Sequence, residues 1–121
     1  MKNMLFVFLG GGVGSVIRYI VSTFFVVSSN AFPFATFIVN IMGSFIIGLL
    51  MGYFIQDTAE QQTWKFLLMT GFCGGFTTFS AFSKESVLMI MQQQWGMVSL
   101  YIVLSIIVCL SATALGYLLS H

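Results

Sequence analysis

Four long apolar stretches, separated by short polar or turn-forming segments, make up almost the whole chain. They cover roughly residues 4–27, 34–55, 64–93 and 97–119. A helix needs about 20 apolar residues to cross a bilayer, so each stretch is long enough for one crossing. The pattern predicts an all-α integral membrane protein with four transmembrane helices, in which residues 1–121 form a single membrane domain.

The connecting segments are short. Residues 28–33 end in Pro33, which suits the first turn of the second helix. Residues 56–63 form the clearly polar loop, with Asp57 and Glu60, and residues 92–96 are predicted to form a turn with an interfacial tryptophan. Glycines 10–12 and Arg18 interrupt the first apolar run, so we expect a first span rather than a signal peptide.

Composition excludes several classes of function. The chain is 59% hydrophobic and 6% charged, with a mean hydropathy of +1.04, so little of it is left for a soluble catalytic domain, and we expect no enzyme. The net charge of +1 does not favour nucleic acid. Cys73 and Cys109 lie in apolar spans, so we interpret them as small buried residues rather than as a disulfide or a metal-binding pair. His121 is the single histidine, and without a histidine cluster we do not expect transition-metal chemistry.

The third apolar stretch contains a cluster of poor helix formers. Gly71, Gly74 and Gly75 are followed by Thr77 and Thr78, and glycine is about 1 kcal/mol worse than alanine in a helix. We therefore predict a break over residues 74–78. Broken backbone inside a bilayer is tolerated only where protein, water or an ion satisfies it, which makes the break a candidate ion site. The alternative is a glycine-rich packing face.

Small and polar residues recur every four positions on the other helices. The stripes are Gly10, Gly14 and Arg18; Thr36, Asn40, Ser44, Gly48 and Gly52; and Tyr101, Ser105, Cys109 and Thr113. Such stripes favour close helix packing, or a polar path through the membrane. Asn40 could serve an anion or bond a neighbouring helix, and Arg18 could face protein and water or extend to the interface.

Aromatic and hydroxyl residues follow the predicted break. Phe79 and Phe82 share one helix face and are accompanied by Ser80 and Ser83, an arrangement that serves either packing or function. Lys84 and Glu85 are expected to mark the approach to water.

Positive charges show no preference for one side of the membrane. With alternating helices, Lys2 and Lys65 lie on one side, and Arg18 and Lys84 on the other. A chain without this bias could insert in both orientations, and two such chains could pair antiparallel about a two-fold axis in the membrane plane.

Three motifs resemble one known family, the Fluc (CrcB) fluoride channels. They are GGGVGSVIRY in the first span, TFIVNIMGSFIIG in the second and GFCGGFTTFSAFS in the third. The resemblance covers the whole chain and implies an antiparallel, dual-topology dimer in the cell membrane with two fluoride pores. Some members work as heterodimers, so the chain could pair with itself or with a paralogue.

The resemblance also implies roles for individual residues. A structural sodium ion would lie on the two-fold axis, held by the backbone carbonyls of Gly74 and Thr77. The residues expected along the ion pathway are Arg18, Asn40, Phe79, Ser80, Phe82, Ser83, Tyr101 and Ser105. The third position of the hydroxyl track on the last helix is Cys109, where some members have serine, and a thiol is a weaker donor.

The residues are consistent with passive conduction. Fluoride is strongly hydrated, so a pore must replace its water with amide and hydroxyl donors and with the positive edges of aromatic rings. No nucleotide-binding loop and no mid-membrane pair of titratable groups is visible, and the membrane potential alone can drive a trapped anion out. The rival functions are a small multidrug transporter, which would carry a glutamate in its first helix, and a non-transporting membrane subunit.

Overall fold

The computed structural model describes residues 1–25, 30–56 and 58–121. Its elements are α1 (Lys2–Thr23), α2 (Phe34–Tyr53), α3 (Ala59–Trp64), a π-helix (Lys65–Cys73), α4 (Gly74–Phe76), α5 (Phe79–Met91) and α6 (Trp95–Ser120). From Ala59 to Met91 the chain forms one interrupted segment, which we call the third span. With α1, α2 and α6 this gives, within these described residues, four helical segments that are long and apolar enough to cross a membrane, as predicted.

The helix ends differ from the predicted ones by a few residues in most places. α2 begins at Phe34 as predicted, with Pro33 as its N-cap, whereas α1 already ends at Thr23. The prediction of a loop over residues 56–63 is wrong from Ala59 onward, because α3 begins there. Thr58 is the N-cap of α3, and its hydroxyl accepts a hydrogen bond from the Gln61 amide at 3.3 Å. The predicted end of the first helix, the start of the loop at residues 28–29, and Asp57 lie outside the described residues.

The turn between α5 and α6 is shorter than predicted, since Trp95 already belongs to α6. Gln93 has a φ of 57°, the left-handed conformation that usually falls to glycine after a helix end. The amide of Gln94 donates to the Met89 carbonyl at 2.9 Å, and that of Gln93 to Ile90 at 3.0 Å. These two bonds form a Schellman motif that ends α5 directly before α6 begins at Trp95.

Glycines let α1 pack backbone to backbone on the third span. A Cβ added at Gly10 would overlap the Leu67 carbonyl of the π-helix, and one at Gly14 would lie 2.8 Å from the Phe76 amide. From the other side, Gly75 meets the backbone of Gly11. The small-residue stripe on α1 is therefore a packing seam, which we call the α1 seam.

The second seam joins α2 and α6. A Cβ at Gly48 would overlap the Thr113 carbonyl, and one at Gly52 would overlap Ser120. Gly116 likewise faces the Phe45 carbonyl. The part of the α2 stripe around Gly48 and Gly52 thus serves close packing, as the sequence suggested. Asn40, nearer the start of α2, instead contacts the break in the third span.

The break itself is narrower than predicted. Gly74–Phe76 is still helical, and the extended residues are Thr77 (φ −79°, ψ 157°) and Thr78 (φ −151°, ψ 114°). The break was predicted at the right place, but its beginning at Gly74 is wrong. Glycines 71 and 75 remain in the helix because their missing side chains allow the α1 seam to form.

Candidate functional site

At the break, the side-chain amide of Asn40 forms hydrogen bonds with both backbone polar groups of Thr78, its N–H and its C=O. Its Oδ1 accepts from the Thr78 amide at 2.8 Å, and its Nδ2 donates to the Thr78 carbonyl at 3.2 Å. A side-chain amide thereby replaces the helical partners that the broken backbone has lost, as apolar surroundings require. Of the two N–H bonds on Nδ2, one is used by Thr78 and the other is left for a further acceptor.

Hydroxyl groups close the helices on either side of the break. The Thr77 hydroxyl donates to the Cys73 carbonyl at 2.8 Å, and the Thr77 amide donates to the same oxygen at 2.9 Å. The Thr78 hydroxyl caps α5 by accepting from the Ala81 amide at 3.2 Å. The Ser80 hydroxyl lies 3.1 Å from that of Thr78 and extends this local network.

At the break, two backbone carbonyls lose the amide donors that a continuous helix would give them. In a continuous helix Gly74 would accept from the Thr78 amide, and Thr77 from the Ala81 amide. Here the first amide bonds Asn40 and the second bonds the Thr78 hydroxyl. Both carbonyls are left to find another partner, and neutral carbonyl oxygens suit a hard cation such as sodium.

The position of Gly74 fits such a role. Gly74 is exposed in the single chain, and a Cβ added there would meet nothing within 4 Å. Within the described residues no group of three His, Cys, Asp or Glu side chains could hold a metal ion. The donor set at the break therefore fits the sodium site implied by the sequence resemblance.

A groove of about 550 Å³ runs beside the break between the third span and α6. Its lining includes Asn40, Gly74, Thr77, Phe79, Phe82 and Ser105. The structure thus brings together six of the residues that the sequence singled out, although they come from three different spans, namely α2, the third span and α6.

The two phenylalanines lie side by side on α5. Their ring centroids are 5.5 Å apart with an angle of 36° between the planes, and Phe82 also lies 5.1 Å from the ring of Tyr101. Phe79 is 78% exposed, whereas Phe82 is half-buried between the groove and α6. The predicted shared face is confirmed, and both rings line the groove.

The polar side chains along α6 differ in their hydrogen bonding. Ser105 is 8% exposed, and its Oγ has no hydrogen-bond partner among the described residues, although it lines the groove. The Thr113 hydroxyl bonds back to the Cys109 carbonyl of its own helix at 3.1 Å. Cys109 also lines the groove as a free thiol. Ser105 is thus the unpaired buried donor of this track.

Tyr101 is occupied by a partner that the sequence analysis did not assign. Its hydroxyl donates to Oε2 of Glu85 at 2.7 Å, and the Thr36 hydroxyl donates to Oε1 at 2.6 Å. Two hydroxyls from α2 and α6 therefore hold the half-buried Glu85 between helices, while its neighbour Lys84 is exposed; that this pair marks the approach to water stays a prediction. The signal in the sequence that could have indicated a polar partner for Thr36 was its place, with Asn40, on the polar face of the second helix.

Arg18 and Ser83 lie away from the first groove. Arg18 lines a second groove, of about 1030 Å³, together with Lys84 and Glu85. Thr78 lines both grooves, so the break separates them. The Ser83 hydroxyl donates to the Phe79 carbonyl of its own helix at 2.9 Å. The predicted pathway residues that line the first groove are Asn40, Phe79, Phe82 and Ser105, and Arg18 lines the second, whereas Ser80, Ser83 and Tyr101 line neither.

Comparison with known proteins agrees with the sequence motifs. The family model described as CrcB-like protein, Camphor Resistance (CrcB), matches residues 5–117. A protein of Flavobacterium psychrophilum named fluoride-specific ion channel FluC is 43% identical over 99% of this chain and 98% of its own length. Proteins with the same name from Azobacteroides pseudotrichonymphae (40% identical, covering 100% and 98%) and, as FluC 1, from Yersinia pestis (43%, covering 98% and 93%) are also similar.

Proposed function

Because the chain belongs to the CrcB family, we propose that it is a fluoride-selective channel through which fluoride leaves the cell passively, giving resistance to fluoride. The relatives are named as fluoride-specific channels and align over nearly the whole chain. The protein would act as a multi-pass protein of the cell membrane, with four helical segments able to span it.

The observation that carries the proposal is the unpaired hydroxyl of Ser105 in the groove that also contains Asn40 and Phe82. A buried donor without a partner costs about 1–3 kcal/mol, unless an acceptor visits it. Fluoride is a strong acceptor. The second N–H of Asn40 and the positive ring edges of Phe79 and Phe82 would replace further water molecules around the ion.

The proposed pathway has two sections that meet at the break. Arg18 and Lys84 in the second groove would raise the local concentration of anions by their charge. Beyond Thr78, the ion would pass Asn40, the phenylalanines and Ser105. Ser80 and Ser83 are bonded locally, so we assign them to shaping the start of α5 around the pathway.

We propose an antiparallel, dual-topology homodimer as the working unit, while pairing with a paralogue would be the heterodimeric alternative. The exposed ring of Phe79 and the open space at Gly74 support this, because both are accessible to a second copy in the single chain. A structural sodium ion, held by the carbonyls of Gly74 and Thr77, would supply fixed positive charge between the two copies.

Fluoride release from proteoliposomes tests the proposal. The purified protein should let fluoride out down its electrochemical gradient when potassium and valinomycin carry the compensating charge, and should release chloride far more slowly. Equal rates for both anions would contradict selectivity, and release that requires a proton gradient would contradict a channel. The multidrug-transporter alternative is not favoured, since α1 carries no acidic residue.

A further inference from the structure

We infer that Asn40 positions the carbonyl of Thr77 for sodium, so that one side chain serves both the cation site and the anion pathway. The inference rests on the proposed sodium site and goes beyond a role of Asn40 as an anion ligand. It starts from the reciprocal pair of hydrogen bonds between the Asn40 amide and the backbone of Thr78.

The first step follows from the geometry of one peptide group. The amide of Thr78 and the carbonyl of Thr77 belong to the same peptide group, which is planar and trans, so their N–H and C=O bonds point in opposite directions. Oδ1 of Asn40 holds the Thr78 amide at 2.8 Å. The Thr77 carbonyl is thereby directed away from that side-chain oxygen.

The second step concerns competition for the two carbonyls. If the Thr78 amide were released, it could bond the Gly74 carbonyl, its ordinary helical acceptor. If the Ala81 amide were released from the Thr78 hydroxyl, it could bond the Thr77 carbonyl in the same way. Asn40 and the Thr78 hydroxyl therefore keep both proposed sodium ligands from being used up within the helix.

The third step is thermodynamic reciprocity. If the bond from Asn40 to Thr78 favours sodium, bound sodium must stabilise that bond by the same factor. Sodium should thus slow hydrogen exchange of the Thr78 amide, and it should hold Asn40 in the orientation in which its second N–H is available beside the groove. A permanently bound cation would in this way keep the anion pathway formed.

The experiment measures sodium binding and exchange of the Thr78 amide on the purified dimer in sodium-free buffer and after sodium addition. Asn40→Leu removes both hydrogen bonds and should lower sodium affinity about tenfold or more, as expected for the loss of a buried hydrogen bond. Asn40→Asp keeps an acceptor for the Thr78 amide and should retain most of the sodium affinity, although its charge would oppose fluoride.

Variants of Thr78 test the second donor. Thr78→Val keeps the shape of the side chain but frees the Ala81 amide, so sodium binding should weaken, whereas Thr78→Ser should restore it. Ser44→Ala is the matched control, since Ser44 lies one turn from Asn40 and lines the same groove. It should change neither sodium affinity nor the exchange of the Thr78 amide.

The outcomes separate this inference from the proposed channel. Unchanged sodium affinity in both Asn40→Leu and Thr78→Val would overturn it, as would unchanged exchange at Thr78 in Asn40→Leu. Fluoride conduction by a dimer that binds no sodium would also overturn it and leave the channel standing. Sodium binding with the expected order of variants, in a protein that conducts no fluoride, would support the inference and refute the channel instead.

Discussion

The hydroxyl of Tyr101 on α6 donates a 2.7 Å hydrogen bond to the carboxylate of Glu85 on α5. Because Thr36 on α2 donates to the second carboxylate oxygen at 2.6 Å, one side chain links three helices. Tyr101 is fully buried, with 0% of its surface exposed. Its hydroxyl is therefore committed to Glu85 in this structure, whereas the buried hydroxyl of Ser105 is free to donate to an anion in the groove.

We expect this link to contribute to stability. Tyr101→Phe and Thr36→Val should each lower the free energy of unfolding by about 1.5–3 kcal/mol, the usual range for a hydrogen bond to a charged group. Unfolding in mixed detergent micelles would measure the change. Ser99→Ala is the control, since exposed Ser99 bonds only to the Trp95 carbonyl of its own helix in the described structure. If Glu85→Ala, which removes the acceptor, left the effect of Tyr101→Phe unchanged, the two residues would not be coupled.

Replacing either phenylalanine beside the groove should stop most fluoride flux. Isoleucine keeps bulk but has no ring quadrupole, so Phe79→Ile and Phe82→Ile remove the positive ring edges. Phe82→Ile should also lower the stability of the single chain, because Phe82 packs on Tyr101. Flux per folded dimer, recovered by gel filtration, is the measurement. Normal flux in both variants would move the pathway away from this face.

The α1 seam should reject even one methyl group. Gly14→Ala would bring a Cβ to 2.8 Å from the Phe76 amide, and such overpacking costs about 1–3 kcal/mol. Gly12→Ala is the matched control, because nothing lies within 4 Å of a Cβ there and alanine is the better helix former. Thermal unfolding should separate the two variants. Equal stability would mean that the seam is not tightly packed.

Glycine should improve the turn after α5. Gln93 adopts a left-handed conformation, which costs an L-residue about 1–2 kcal/mol more than glycine. Gln93→Gly should therefore raise the free energy of unfolding by up to about 1 kcal/mol after the entropy of glycine is counted. Gln93→Val should lower it. The same unfolding assay applies, and the reverse order would contradict the assigned turn.

Labelling can test the orientation of the chain. A single cysteine placed at either end of a Cys73→Ser, Cys109→Ser background should react with membrane-impermeant reagents from both sides of the membrane. The reason is that the positive charges give no preferred side. Labelling of each end from one side only would exclude dual topology.

The helical spans followed from the sequence because hydropathy and length determine them directly. α2 and α6 lie within two residues of their predicted ends, at Phe34–Tyr53 and Trp95–Ser120. The π-helix at Lys65–Cys73 was not predicted, since its residues are ordinary and its formation accompanies contact with the glycines of α1. Local propensity also placed the break too early, because packing keeps Gly74–Phe76 helical.

The candidate site was less accessible to sequence reasoning than the spans. Spacing by four placed Thr36 and Asn40 on one face, but it could not show that one side chain bonds a carboxylate and the other a broken backbone. The role of Glu85 was missed because its neighbour Lys84 suggested the interface. Partners that come from distant parts of the chain are set by tertiary packing, which a single sequence does not display.

The α1 seam also limits how the protein can move. Where two backbones touch directly, no layer of side chains can change rotamers, so sliding would require both helices to separate first. α1, the π-helix and α4 should behave as one rigid body, with α2 and α6 as another, joined by their own glycine contacts. Thr77 and Thr78 connect the first body to α5, so we expect any movement between them to occur at these two residues, and the hydrogen bonds from Asn40 to Thr78 to oppose it.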